Sequence, residues 1–274
     1  MKMVAAAKLR RAQERVVGAR PYAKLLTDVL ASVTAHAGEV KHPLLATREE
    51  ERRVIVVVVA GDRGLAGAFN TNVNRATAHL LAQHPEWTEV RILPVGKKAV
   101  DYWRRRKIPF TEATYPGIFN DLRYAHGKEI ASFLAQEFLE DRIDAAYIVV
   151  NEFRSILSQV VRTTRLLPLA TEAVVAETKP KGAEQENQPR EYLFEPDAKT
   201  ILAWLLPRYL EFTVFRALAE SAAAEMGARM TAMGSATKNA GELIDKLTLT
   251  YNRARQARIT KELIEIVSGA AALE

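Results

Sequence analysis

The residues most suggestive of ligand chemistry are GDRGLAGAFN, Gly61–Asn70. They follow an apolar β-branched run and open a helical stretch, where a dinucleotide-binding loop would lie. In such a loop a close G-x-G pair lets a pyrophosphate touch backbone N–H groups. Here Gly61, Gly64 and Gly67 stand three apart, and no Gly-Lys-Ser or Gly-Lys-Thr completes a P-loop. The loop therefore reads as a tight turn that lets a helix pack closely. His36, His42, His79, His84 and His126 contain no i,i+4 pair, and no acidic residue stands beside two of them, so no metal site is expected. No cysteine is present, which excludes thiolate metal sites, disulfides and cysteine nucleophiles. No G-x-S-x-G elbow stands on a strand-to-helix turn. The run Arg104–Lys107 (RRRK) could touch phosphate, but at a helix end it reads as a solvated cap favoured by the C-terminal dipole. Catalytic, cofactor and metal residues are all expected to be absent.

The elements around these residues are more informative. The chain has 274 residues, of which 48% are hydrophobic and 26% charged, enough for a core in one or two domains. Its longest uninterrupted apolar stretch, Val54–Ala60, is far short of the roughly 20 residues a spanning helix needs. No cleavable signal is evident at the start. The net charge is +6. Its placement is uneven, because residues 1–30 carry Lys2, Lys8, Arg10, Arg11, Arg15, Arg20 and Lys24 against Glu14 and Asp28. That end suits an acidic partner.

From Ala5 through Leu9, Ala12, Val16, Ala19, Ala23, Leu26, Leu30, Val33 and Ala37, apolar residues recur at steps of four and three. This heptad seam predicts one long helix over residues 1–37, kinked near Gly18–Pro21 but unbroken. A second seam runs from Phe215 to Ala254, with three successive steps of four between Leu218 and Met230 that shift its phase. Its helix is predicted to start after Pro196 with Asp197 as cap, to be kinked or split at Pro207, and to stop near Ser268 before Gly269. At 1.5 Å per residue, roughly 70 residues make a rod on the order of 100 Å long. The two Ala-rich seams suit an antiparallel pair. The Met226, Met230 and Met233 stripe reads as packing.

Between the helices, Arg53–Ala60 (RVIVVVVA), Glu89–Val95 and Ala145–Val150 read as buried parallel strands, and Ser158–Leu167 as an edge strand. Helices are expected near 70–84, 96–107 and 122–142. The resulting β-α-β-α-α-β order predicts a Rossmann-like α/β domain over 52–170. Coiled-coil helices flank it at 1–40 and 197–270. The polar segment at 177–192, containing ETKPKGAEQENQPR, reads as a flexible loop.

The C-terminal segment YNRARQAR followed by ITKELIEIVSGAAAL (Tyr251–Leu273) closely resembles the C-terminal signature of the F-type ATP synthase gamma subunit family. MKMVAAAKLRRAQ with ARPY, the loop GDRGLAGAFN and ARMTAMGSATKNA resemble further segments of that family, in the same order. The resemblance implies a non-catalytic rotor shaft, in which the antiparallel coiled coil lies inside a ring of alternating alpha and beta subunits that holds the ATP chemistry. It also implies that Arg229, Arg255, Gln256, Thr260 and Glu262 meet the ring's catch loops, and that Phe194 and Glu195 contact the membrane c-ring and the epsilon subunit. One copy per complex, held peripherally at the cytoplasmic face of a bacterial membrane, is the implied setting, with no nucleic acid and no direct membrane insertion. Members usually begin some twenty residues earlier with a segment ending in Lys-Ala-Met, so Met1 is expected to correspond to that Met. Plastid members use a cysteine pair for thiol control, which a chain without cysteine cannot support.

Two other classes fit parts of the pattern. A nucleotide-binding α/β enzyme with a coiled-coil dimerisation stalk would bind ATP or NAD as the isolated chain. A basic coiled-coil nucleic-acid protein would show steeply salt-dependent DNA affinity. Neither accounts for the C-terminal signature.

Overall fold

The computed structural model describes residues 1–37, 42–48, 50–169 and 197–271. It divides into two units, Met1–Thr231 and Ala232–Glu274. The predicted loop at 177–192 lies outside the described residues, as do Phe194 and Glu195.

The first unit is built on a four-stranded sheet of β1 (Arg53–Val59), β2 (Glu89–Val95), β3 (Ala145–Phe153) and β4 (Gln159–Leu167). The order is β2-β1-β3-β4, with β1 parallel to both β2 and β3 and β4 antiparallel to β3. Helices α2 (Phe69–Gln83), α3 (Lys97–Arg105) and α4 (Tyr124–Leu139) fill the crossovers. Alternation along β1 explains the layering, because successive side chains point to opposite faces. Val54, Val56 and Val58 pack with Val73 of α2 and Ala99 and Trp103 of α3. Ile55, Val57 and Val59 face the other way, onto Ile130, Leu134 and Phe138 of α4 and onto the long helices described next. Both faces of β1 are covered, so its sequence is continuously apolar.

Helix α1 spans Lys2–Ala37 and α5 spans Ala198–Ala271. In α1 the heptad seam is the buried stripe, with Ala5, Leu9, Leu26, Leu30 and Val33 all under about a tenth exposed. Tyr22 of α1 meets Phe212 of α5 at 4.9 Å between ring centroids, and Ala5 lies beside the same cleft as Glu225, so the pair is antiparallel. Leu202, Leu206, Leu210, Val214 and Leu218 of α5 join the core beneath the sheet.

Asp197 caps α5 as expected: its carboxylate accepts from the Thr200 N–H at 2.9 Å and from the Thr200 hydroxyl at 2.7 Å. Pro21 and Pro207 both lie inside unbroken helices. Pro207 therefore does not split α5. A lost backbone bond there is outweighed by Leu206 and Leu210, each 1% exposed on either side of it. The expected stop at Gly269 is also corrected, because α5 continues to Ala271 through alanines, the strongest helix formers.

Helices α3 and α4 end earlier than their apolar patterns suggest. Lys107 (φ 57°) and Asp141 (φ 55°) both adopt the left-handed conformation that terminates a helix. After α4, the N–H of Arg142 donates to the Glu137 carbonyl and that of Asp141 to the Phe138 carbonyl, a Schellman closure without glycine. At the N-terminal edge of the sheet, one Asp144 oxygen accepts from the N–H of Arg52 at 3.0 Å and of Arg53 at 2.7 Å. The Arg53 guanidinium donates to its other oxygen at 2.7 Å, tying β1 to β3.

Candidate functional site

In an open α/β sheet a ligand crevice forms at the C-terminal ends of the strands where successive crossovers diverge. Here that point is the end of β1, between β2 and β3, where Gly61 begins the glycine loop. The loop is tightly bonded from within. The Gly61 N–H donates to Asn70 Oδ1 at 2.8 Å, and the Asp62 carboxylate accepts from the N–H groups of Lys97 (3.0 Å), Gly117 (2.7 Å) and Phe119 (3.3 Å). At the neighbouring strand end, Gly96 adopts φ 87°, and a Cβ there would fall 2.0 Å from the Ala60 carbonyl oxygen. Only glycine permits that approach.

The crevice is filled by the chain itself. A Cβ on Gly61 would lie 2.8 Å from the Glu225 carboxylate of α5. Ala66 and Phe69 of the loop pack on Ala224, Ala228 and Phe153. Arg229 donates to Glu225 Oε1 at 2.5 Å and to the Gly64 carbonyl at 3.4 Å. Burial pushes the Glu225 carboxyl above its usual range, and the Arg229 guanidinium opposes that shift. A dinucleotide has no room where α5 lies. The three steps of four between Leu218 and Met230 acquire a physical reason here: Leu218, Ala219, Ser221, Ala223, Ala224, Glu225 and Arg229 are all buried, so this stretch serves the glycine loop as well as α1.

Two of the histidines and one arginine of the basic run have local partners. His42 Nδ1 accepts from the Leu44 N–H at 3.1 Å and burial lowers its pKa, while His84 stacks on Trp87 at 4.3 Å. The Arg106 guanidinium lies 4.7 Å from the Tyr102 ring centre at the end of α3. Among the described residues no group of three or more His, Asp or Glu is arranged to hold a metal ion. No helix among them is long and apolar enough to cross a membrane.

The second unit, taken by itself, is helical from Ala232 to Ala271. Arg255, Gln256, Thr260 and Glu262 all lie on it and are exposed. Glu262 accepts from Arg258 Nε at 2.9 Å. Beside them Ile259, Leu263, Ile264, Ile266 and Val267 are also exposed, by 48% to 68%. Arg229 differs from these four: it belongs to the first unit and is turned inward to Glu225 and Gly64. Sequence reasoning missed Glu225. Its one signal was an acid among the alanines of the phase-shifted stretch, which also holds Glu220.

A mixed four-stranded α/β sheet whose strand-end crevice is occupied by its own helix, braced on an antiparallel pair of long helices, defines the class by fold: an α/β domain mounted on a helical stalk. Comparison with known proteins agrees. Residues 1–273 match the ATP synthase family model. The chain is 46% identical over 275 residues to the ATP synthase gamma chain of Pelotomaculum thermopropionicum and 48% identical over 275 residues to that of Desulforamulus reducens, covering 100% of this chain and 92% of each relative. In fold it is similar to a chain of the central stalk and c-ring structure of Tetrahymena thermophila mitochondrial ATP synthase, with a TM-score of 0.62, 22% identity, and coverage of 86% of this chain and 97% of that one. The chain belongs to the ATP synthase gamma chain family. It is accordingly a central-stalk rotor subunit of an F-type ATP synthase, a non-catalytic part of that enzyme.

Proposed function

We propose that the chain turns inside a ring of alternating alpha and beta subunits, with the ATP chemistry in beta, and that its second unit is the part the ring encloses. The observation that carries this reading is the exposed apolar helix Ala232–Ala271, which in water leaves Leu243, Ile244, Leu247, Ile264 and Ile266 each more than half exposed. Such a surface needs an enclosing partner. Arg255, Gln256, Thr260 and Glu262 lie within about two turns of one another and are exposed where catch loops on more than one ring subunit can reach them. Arg229, the fifth residue of the set, is held inward by Glu225 and Gly64 and would meet a catch loop only on leaving them. Phe194 and Glu195 form the foot toward the membrane c-ring and epsilon. The basic turns around Lys8, Arg11 and Arg15 face acidic lever loops of beta, where charge pairing guides register.

One shaft in a ring of repeated subunits touches each beta differently, so each is biased toward a different affinity, and rotation exchanges the biases. The complex sits peripherally on the cytoplasmic face of a bacterial membrane, with one copy of this chain per ring. Replacing Arg255 and Gln256 together with Ala tests the catch. A hydrogen bond to a charged group is worth roughly 1.5–3 kcal/mol, so the reassembled complex is expected to lose about tenfold in ATP-driven proton pumping relative to wild type. Helix content by circular dichroism is expected to be unchanged. Wild-type hydrolysis and pumping by a folded, assembled double variant would remove these residues from the catch.

A further inference from the structure

Beside the filled crevice, α1, the glycine loop, residues Phe119–Leu122 and the Ala222–Arg229 stretch of α5 leave an open cleft of about 330 Å³. Five cations line it: Lys8, Arg11 and Arg15 from one face of α1, Arg63 from the loop, and Arg229 from α5. The two acids that line it are already engaged. Asp62 accepts three backbone N–H groups, and Glu225 is held by Arg229. Among the described residues, Lys8, Arg11, Arg15 and Arg63 have no carboxylate within ion-pairing distance. Asp121, which Arg15 feels at longer range, is bound by Arg123 at 2.7 Å. Like charges facing one another across a walled cleft attract a compact counter-anion. Arginine forks match phosphate oxygens two at a time. Val4, Leu65, Phe119 and Met226 add apolar wall beside the cations, and the volume falls in the range of small-ligand pockets.

From this geometry we infer that the cleft binds a nucleoside di- or triphosphate, its phosphates on Arg11, Arg15 and Arg63 and its base against the apolar wall. The site lies outside the dinucleotide crevice and is made of side-chain cations rather than loop N–H groups. It does not depend on assembly with the ring. Because the basic turns of α1 are also those proposed to face the lever loops, nucleotide and lever loop exclude each other from the cleft.

The test is calorimetric titration of the full isolated chain, at physiological salt, with ADP, inorganic pyrophosphate and adenosine. Saturable binding of ADP, weaker binding of pyrophosphate and none of adenosine are expected. Replacing Arg11 and Arg63 with Ala is expected to weaken ADP binding by about tenfold or more. Both side chains are exposed, so thermal melting is expected to match wild type. The Arg104→Ala, Arg105→Ala chain removes as much charge from α3 and is expected to bind ADP normally. Absence of saturable ADP binding overturns the site, as does equal binding of adenosine. Equal weakening in the α3 variant overturns it too, because the attraction is then net charge alone.

Discussion

Helix α5 runs through two environments with one repeating pattern. In its first stretch, to Thr231, the apolar seam is buried: Leu210, Val214 and Leu218 are each no more than 1% exposed. In its second, Ile244, Leu247 and Tyr251 continue the seam and are 62%, 58% and 65% exposed. Composition follows burial. Where α5 meets the glycine loop it is built of Ala, Gly and Ser, with Glu225 and Arg229 paired inside it. Beyond Ala232, among the described residues, its charged side chains form surface pairs one turn apart, Lys238–Glu242, Arg258–Glu262 and Lys261–Glu265. Such pairs are worth about 0.3–0.5 kcal/mol each. A heptad pattern thus records that a helix has a partner without saying whether the partner is in the same chain. The first stretch is held by this chain; the seam of the second is exposed among the described residues.

The largest effect should come from splitting the buried pair. Arg229→Met leaves Glu225 uncompensated in the filled crevice, and removing one partner of a buried ion pair costs about 3–5 kcal/mol. Adding Glu225→Leu removes the stranded carboxylate as well, so the double variant is expected to recover most of that loss. Urea unfolding followed by tryptophan fluorescence measures both, since Trp87, Trp103 and Trp204 all lie in the first unit. Equal destabilisation by the single and the double variant would show that packing, not charge, sets the cost.

A direct comparison of the two stretches uses one residue type. Leu218→Ala removes a fully buried side chain and is expected to cost about 2–5 kcal/mol. Leu247→Ala, on the same seam, is expected to change the stability of the isolated chain by less than about 0.5 kcal/mol. In the assembled complex the second substitution should instead weaken assembly or coupling, if the ring encloses it. Similar costs for both in the isolated chain would mean that the second stretch has an intramolecular partner.

These contrasts also mark what the sequence discloses. The strands were legible because Arg53–Val59 and Ala145–Val150 are β-branched runs covered on both faces, which periodicity reports directly. The Asp197 cap was legible because a carboxylate three residues before Thr200 can reach its N–H. The ends of α3 and α4 were not, because a left-handed Lys107 and Asp141 carry no compositional mark. Nor did spacing show that Glu225 meets Gly61, a contact between residues more than 160 positions apart. Arg229, Arg255, Gln256, Thr260 and Glu262 were picked out by resemblance, and only the structure separates the inward Arg229 from the four exposed ones.

The last contrast distinguishes the units by acid. Burial alone would raise the Asp144 carboxyl, yet the Arg53 side chain and the N–H groups of Arg53 and Arg52 hold it below its usual value. A carboxylate depressed in the folded state contributes stability that is present above its unfolded pKa, about 3.9, and is lost as pH falls through the folded value. Asp144→Asn should therefore lower the stability of the first unit at neutral pH, by less than about 2 kcal/mol because burial offsets part of the charged hydrogen bonding. The gap between wild type and variant should close as the pH falls through the folded value, where Asp144 is itself neutral. Tryptophan fluorescence follows the first unit, while helix content that persists after the fluorescence transition reports the second. A gap that stays constant through the acid range would mean that the Asp144 contacts are geometric and that its charge contributes nothing.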